Sequence, residues 1–301
     1  MEVARLLKDS TKEDAKEDYQ KLKDMDCKKI TKFSRAGLNC LDYYFLQHRI
    51  KAKTRRHISF YDAMKDKTIM KYINEKSKKV RGKNLSSLTR KERLRSRYNL
   101  FQLYYGSINQ FRPAEAKRLY CRLDPKVGIL DFSAGWGGRC LAAMAYGIPY
   151  VGIDANTNLK KSYEQMINAL EKDAKVTLLF KPSETVDFSK YKYDLVFTSP
   201  PYFTIEEYEK MPNYGSAQGF LDKFFKPVVQ NTWKHLQSPG MMALNMPKEM
   251  YDAVKDLLPP LHKRLRLPVM SRHPTNAAKG RVIGETEKGP RSEGIYIWKK
   301  D

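Results

Sequence analysis

Apolar positions along this chain follow two textures that change near Lys126. From Ile30 to about Tyr120 they recur at helical spacing. In LNCLDYYFLQHRIKAKTRRH, Leu38, Leu41, Tyr44 and Phe45 share one face at steps of three and four. SSLTRKERLRSRYNLFQLYYGS predicts a further helix, with Ser86 or Ser87 as its cap, and Asn74–Asn84 between the two predicts a basic loop. The first twenty residues mix charges of both signs with little apolar content and predict a frayed helix or tail. Beyond Lys126, short apolar runs at Val127–Asp131, Tyr150–Ile153, Val176–Phe180, Asp194–Phe197 and Met241–Leu244 alternate with helical patterns near 138–146, 158–172, 217–236 and 247–257. Strands alternating with helices predict an α/β fold whose parallel sheet is covered on both faces. Arg281–Glu285 and Gly294–Trp298, joined by a polar Gly-Pro turn, predict a closing hairpin.

Charge adds a partner to this picture. The formal net charge is +23. Residues 1–120 hold 31 Lys+Arg against 14 Asp+Glu, and the rest of the chain 26 against 20. Self-repulsion of this size favours a polyanionic partner, with nucleic acid ahead of an acidic membrane surface. Two regions follow: 1–110, basic and mainly helical, as the nucleic-acid-binding part, and 111–301 as the catalytic part with a basic C-terminal segment. Arg55, Arg56, Lys78, Lys79, Arg81, Arg95, Arg264, Arg272 and Arg281 are the candidate phosphate or base contacts. The four cysteines form no CxxC pair, and the five histidines do not join them at zinc spacing, so reduced thiols and no metal are expected. No apolar run of spanning length and no secretory h-region occur, so an intracellular, non-membrane protein is expected.

Candidate chemistry lies at three strand ends. VGILDFSAGWGGRC reads as strand, turn and helix, with Gly135, Gly137 and Gly138 at the turn and Asp131 closing the strand. YVGIDAN ends a second strand in Asp154, placed to accept both hydroxyls of a ribose. G-x-G-G is not the pyrophosphate fingerprint, and a carboxylate before the loop suits a cofactor bearing an ammonium group, such as S-adenosylmethionine. Ser183 or Glu184, after the third strand, meets an adenine edge or simply caps a turn. The fourth strand runs into Thr198-Ser199-Pro200-Pro201-Tyr202-Phe203. The Ser199 hydroxyl and Pro200 carbonyl are two acceptors for the N–H groups of an exocyclic amine, with Tyr202 stacking on the base and proline fixing the carbonyl's direction.

Ser199-Pro200-Pro201-Tyr202 is similar to the catalytic motif of the amino-group DNA methyltransferases, which make N4-methylcytosine or N6-methyladenine. The wider pattern, DFSAGWGGR, GIDAN, VFTSPPYF, NYGSAQGFLDKFF and GMMALNM, resembles methyltransferases of phages and large DNA viruses over about Phe111 to Pro247. The resemblance implies a Rossmann-like S-adenosylmethionine-dependent methyltransferase fold, with a mostly parallel seven-stranded sheet. It implies that Asp131, Gly135, Gly137 and Asp154 hold the cofactor and that Ser199 to Tyr202 act on a flipped base, with cytosine N4 slightly ahead of adenine N6. The family's aromatic position is Ser133 here, so Phe132 or Trp136 is expected to cover the cofactor. An RNA amino-group methyltransferase and a catalytically silent nucleic-acid-binding subunit are the alternatives.

Overall fold

The computed structural model describes residues 2–31, 33–54, 56–81, 87–202, 210–266 and 294–301, without the side chains of Glu2, residues 78–81 and Arg266. Six helices come first: α1 Glu2–Leu7, α2 Lys12–Asp24, α3 Leu38–Arg49, α4 Phe60–Ala63, α5 Lys67–Arg81 and α6 Arg90–Tyr105. There follow α7 Pro113–Leu123, β1 Ile129–Asp131, α8 Gly138–Tyr146, β2 Tyr150–Ile153, α9 Lys160–Leu170, β3 Val176–Leu179 and β4 Leu195–Thr198. The chain then forms α10 Ala217–Phe220, α11 Lys226–His235, β5 Gly240–Met246, α12 Lys248–Val254, β6 Lys263–Arg266 and β7 Gly294–Lys300. The strands form one seven-stranded sheet in the order β3-β2-β1-β4-β5-β7-β6. β1 to β5 pair in parallel, and β7 runs antiparallel to both its neighbours. This is the α/β architecture that the strand–helix alternation predicts, with the mostly parallel seven-stranded sheet that the resemblance implies.

Strand alternation divides the core into two layers. Ile129, Leu195, Phe197, Ala243, Ile295 and Ile297 face one cluster, which α2, α3, α7, α8 and α9 complete. Leu130, Val196, Met242, Leu244, Tyr296 and Trp298 face the other, beneath α11 and α12. A third cluster, built on Phe60, Ile73, Leu100 and Phe101, holds a small helical lobe. Helix α3 serves two clusters, giving Leu41 and Phe45 to the sheet side and Leu46 and Ile50 to the lobe. Residues before 110 are therefore not one separate module: α2 and α3 pack into the body that carries the sheet.

Several expectations are corrected. The N-terminal segment is not a frayed tail. Thr11 and Asp14 form a capping box for α2, which buries Ala15, Tyr19 and Leu22 at helical spacing. Asp18 accepts from the Asn39 and Cys40 amides at 2.8 and 3.0 Å and caps α3, whose own N-cap is Gly37. Lys117, buried in α7, donates to the Leu22, Lys23 and Met25 carbonyls at 2.7–3.0 Å and closes the other end of α2. The basic stretch from Asn74 continues α5 to Arg81 instead of forming a loop. The cap of α6 is Thr89, whose hydroxyl accepts from the Glu92 amide while the Glu92 carboxylate accepts from the Thr89 amide. β7 pairs with β6, while the expected strand Arg281–Glu285 lies outside the described residues.

Cysteine chemistry is corrected as well. Cys27 and Cys121 form a disulfide, their Cα atoms 5.6 Å apart, next to the place where Lys117 ties α2 to α7. Cys40 and Cys140 are buried free thiols, and burial pushes both thiols up. Among the described residues no helix is long and apolar enough to cross a membrane, and no three His, Cys, Asp or Glu side chains form a metal cluster. Unfolded in denaturant without reductant, the protein should expose two titratable thiols, and four after reduction. Four before reduction would remove the Cys27–Cys121 link.

Candidate active site

The sheet order reverses between β1 and β4, and the carboxyl ends of β1 to β5 frame the crevice where such folds bind ligands. Asp131 closes β1 and is fully buried. Its oxygens accept from Arg139 Nε (2.7 Å) and Nη2 (3.2 Å), Tyr150 Oη (2.6 Å), Thr198 Oγ1 (2.7 Å) and the Ser133 amide (3.2 Å). A carboxylate has about four lone-pair positions, so these donors fill it. Asp131 is thus not the acceptor of a cofactor ammonium; it locks the ends of β1, β2 and β4 together. Burial works against the Arg139 charge, but the Asp131 charge and hydrogen bonds outweigh it and hold the guanidinium above its ordinary value. The sequence reading missed Arg139, although its place in the first turn of α8, eight residues after Asp131, was legible.

The glycine loop divides by function. Gly135 has φ +60°, and a Cβ there would meet nothing nearer than the Ser133 carbonyl at 3.8 Å. This is the loop's open face. Gly137 has φ +78°, and a Cβ there would lie 2.8 Å from the Phe45 ring; at Gly138 it would lie 2.1 Å from the Phe111 carbonyl. Gly137 is therefore glycine because α3 presses on it, and its expected role in close ligand approach is withdrawn. Trp136 and Phe132 are buried in opposite core layers, so neither ring stands over an open pocket. Ser133 is half-buried, and its carbonyl accepts from Arg139.

Asp154 follows β2 and is half-buried. It accepts from the Gly135 and Asn156 amides at 2.7 and 2.8 Å. Burial pushes its carboxyl up to about 6, against the opposing pull of those two amides, with the Asp131 charge adding to the rise. After β3, the Ser183 hydroxyl donates to the Phe132 carbonyl at 2.6 Å, so it ties β3 to β1 instead of facing a ligand. Glu184 Oε1 accepts from Tyr214 Oη at 2.8 Å, while Oε2 is buried with no hydrogen-bond partner among the described residues. Tyr214 was not singled out from the sequence as a site residue.

Ser199 begins the loop after β4 and is half-buried, next to Thr198, whose hydroxyl is fixed on Asp131. Asn245 of β5, itself buried, donates from Nδ2 to Ser199 Oγ at 3.0 Å and to Tyr202 Oη at 3.3 Å. Pro200 is buried, while Pro201 and Tyr202 are half-buried; Phe203 lies outside the described residues. Thus one Ser199 lone pair is engaged and the direction of the other is set. Gly135, Asp154, Glu184 and the Ser199 loop follow four neighbouring strands, β1, β2, β3 and β4, and Gly135 and Asp154 are in direct contact.

No family model matches the chain, and no curated protein does. Solved structures of similar shape include TrmN from Thermus thermophilus, at 15% identity over 71% of this chain and 68% of that one, with a TM-score of 0.43. A SAM-dependent O-methyltransferase from Thermotoga maritima gives 14% identity, 67% and 70% coverage and a TM-score of 0.40. An rRNA methylase from Streptococcus thermophilus gives 11%, 64% and 99%, and 0.41. The fold assignment rests on the strand order itself.

The candidate nucleic-acid contacts are not brought to one place by any contact described. Arg56 is exposed, its guanidinium 5.7 Å from the Tyr105 ring centre. Arg264 lies on edge strand β6, 5.0 Å from the Tyr296 ring centre. Arg95 is half-buried and donates from Nε to the Leu7 carbonyl at 2.8 Å, so it also holds the end of α1. The side chains of Lys78, Lys79 and Arg81, and the residues Arg55, Arg272 and Arg281, lie outside what is described.

Loop packing gives a stability test. Gly147, with φ +82° and open space around it, should accept alanine at a backbone cost of about 1 kcal/mol, or roughly 2–4 °C in Tm. Gly138→Ala should cost about 3 kcal/mol or more, because its methyl meets backbone, not a movable side chain. Thermal unfolding of both variants measures the difference, and equal losses would contradict the Phe111–Gly138 contact.

Proposed function

We propose that the chain is an S-adenosylmethionine-dependent methyltransferase acting on the exocyclic amine of a base in DNA, with cytosine N4 slightly favoured over adenine N6. The observation that carries this reading is the Ser199 hydroxyl, on a half-buried residue just past the carboxyl end of β4 and held by Asn245. The choice of DNA rests on the Ser-Pro-Pro-Tyr resemblance and the +23 charge.

The residues present fit the cofactor in part. Gly135 leaves room beside the loop, Asp154 offers a carboxylate at a ribose position, and Glu184 Oε2 is a buried acceptor with an open valence. Asp131, Gly137, Trp136 and Ser183 are already committed within the protein. When bound, the cofactor supplies an electrophilic methyl group. The chain's own work is on the amine. Its nitrogen lone pair is delocalised into the ring, and acceptors at Ser199 Oγ and the Pro200 carbonyl hold its two N–H groups so that the nitrogen turns pyramidal. Once methylated, the nitrogen would carry one proton more than the product needs, and Ser199 Oγ and the Pro200 carbonyl would guide that proton out to solvent. A base in a duplex has to be extruded to reach them.

Ser199→Ala is expected to lower turnover roughly a hundredfold, while cofactor affinity stays within about twofold. Incubation with methyl-labelled S-adenosylmethionine and mixed DNA and RNA, followed by digestion to nucleosides and mass analysis, identifies the product. N4-methyldeoxycytidine or N6-methyldeoxyadenosine supports the reading, labelled ribonucleosides replace DNA by RNA, and no label together with no heat of cofactor binding leaves the silent subunit.

Asp154 gives a pH test with a definite sign. Its raised carboxyl pKa means that the fold keeps a stability contribution at low pH that is lost as pH rises through about 6. A ribose donating two hydroxyls favours the ionised form and lowers that pKa. Cofactor binding near pH 6 should therefore release a proton, and affinity should fall as pH drops below 6, by up to about tenfold per unit. Calorimetry in buffers of different ionisation enthalpy reads the proton, and Asp154→Asn should abolish the release. Proton-neutral binding at pH 6 in the wild-type protein would remove Asp154 from the ribose site.

A further inference from the structure

Between α1, α3 and α6, away from the strand ends, lies a cavity of about 550 Å³. Its charged lining consists of Lys8, Arg35, Arg49, Arg95 and one carboxylate, Asp42. The balance is three positive charges in a space of ordinary ligand size. Asp42 is buried and already takes Arg49 Nη2, Lys8 Nζ at 3.1 Å and Gln110 Nε2 at 3.4 Å. One carboxylate thus answers two of the four cations, and Arg95 donates from Nε to the Leu7 carbonyl. Arg49 is 9% exposed, and its Nε is buried with no hydrogen-bond partner among the described residues; the same holds for Gln110 Oε1. A lining with this excess of cations is what an oxyanion with several acceptor oxygens satisfies. The rest of the wall suits a nucleotide: the half-buried Tyr98 offers a ring, Leu38 and Leu46 an apolar floor, and Gln102 an amide.

We propose that this cavity is a second ligand site, which takes a phosphate-bearing nucleotide, either free or as part of a nucleic-acid strand. It goes beyond the methyl-transfer reading and does not depend on it, because no residue of the crevice lines the cavity. The two sites share a wall, however. Helix α3 turns Leu38, Asp42, Leu46 and Arg49 to the cavity and Leu41 and Phe45 to the glycine loop.

The test measures binding of adenosine 5′-monophosphate and of a fluorescein-labelled single-stranded 12-mer to the full chain. Three proteins are compared: wild type, Lys8→Gln with Arg35→Gln, and a charge-matched control, Lys172→Gln with Lys175→Gln, at exposed positions outside the cavity. Lys8 and Arg35 are accessible side chains, so both double variants should unfold within a few degrees of the wild type. The expected result is at least a tenfold affinity loss in the cavity variant and less than threefold in the control. Loss with the mononucleotide assigns a free-nucleotide site. Loss with the 12-mer alone, with a shallower salt dependence, assigns a backbone phosphate. Equal losses in the two variants, or no binding of either probe by the wild type, overturn the proposal. Cofactor calorimetry on the same proteins reads the crevice separately, so failure there and failure here are distinguishable.

Discussion

The pairing of Asp131 with Arg139 is the constraint around which the sheet's working edge is built. Both groups are almost completely buried, and taking them out of water is tolerable because they pair with each other and with further hydrogen-bond partners. Tyr150 brings in β2, Thr198 brings in β4, and the Ser133 amide and carbonyl bring in the loop. Loss of either charged partner would strand the other, at a cost of about 3–5 kcal/mol. The same contacts that stabilise the fold therefore fix the base from which the Ser199 loop departs.

Two aspartates at neighbouring strand ends illustrate how environment divides one residue type between two tasks. Asp131 is saturated by five donors, including a guanidinium, and faces inward. Asp154 has only two amide partners and half-buried surroundings, so its carboxyl is raised and keeps capacity for a ligand's hydroxyls. Ser183 and Glu184 divide in the same way: one hydroxyl is spent on the Phe132 carbonyl, and one carboxylate oxygen is left over.

The strand–helix alternation, the glycine loop, Asp154 and the Ser199 loop were legible because each is a local pattern. Every strand up to β5 lies within two residues of its expected bounds. The N-terminal helix was expected to fray, although Thr11 and Asp14 form a box and Ala15, Tyr19 and Leu22 keep helical spacing; surrounding charge hid three buried apolar positions among thirteen residues. What no local pattern could give were contacts across long stretches of chain: Asn245 on Ser199, Tyr214 on Glu184, Lys117 on the end of α2, and Cys27 with Cys121. The roles assigned to Asp131 and Gly137 changed for the same reason. Their types were read correctly, but their neighbours come from α3, α8, β2 and β4.

Phe45 bears on how such a chain can be recombined. Its ring occupies the space beside Gly137, while Leu41 sits against Gly138. A graft that joined residues 111–301 to a foreign head would leave a hole under the glycine turn, on the scale of a Phe→Ala truncation, about 3–5 kcal/mol. The more exchangeable piece is instead the small lobe of α4 to α6, whose cluster is separate from the two sheet layers and reaches outside the lobe through Leu7, Leu46 and Ile50. The ancestry of head and body is then expected to be joint as far as α3, with swapping confined to what lies between α3 and α7.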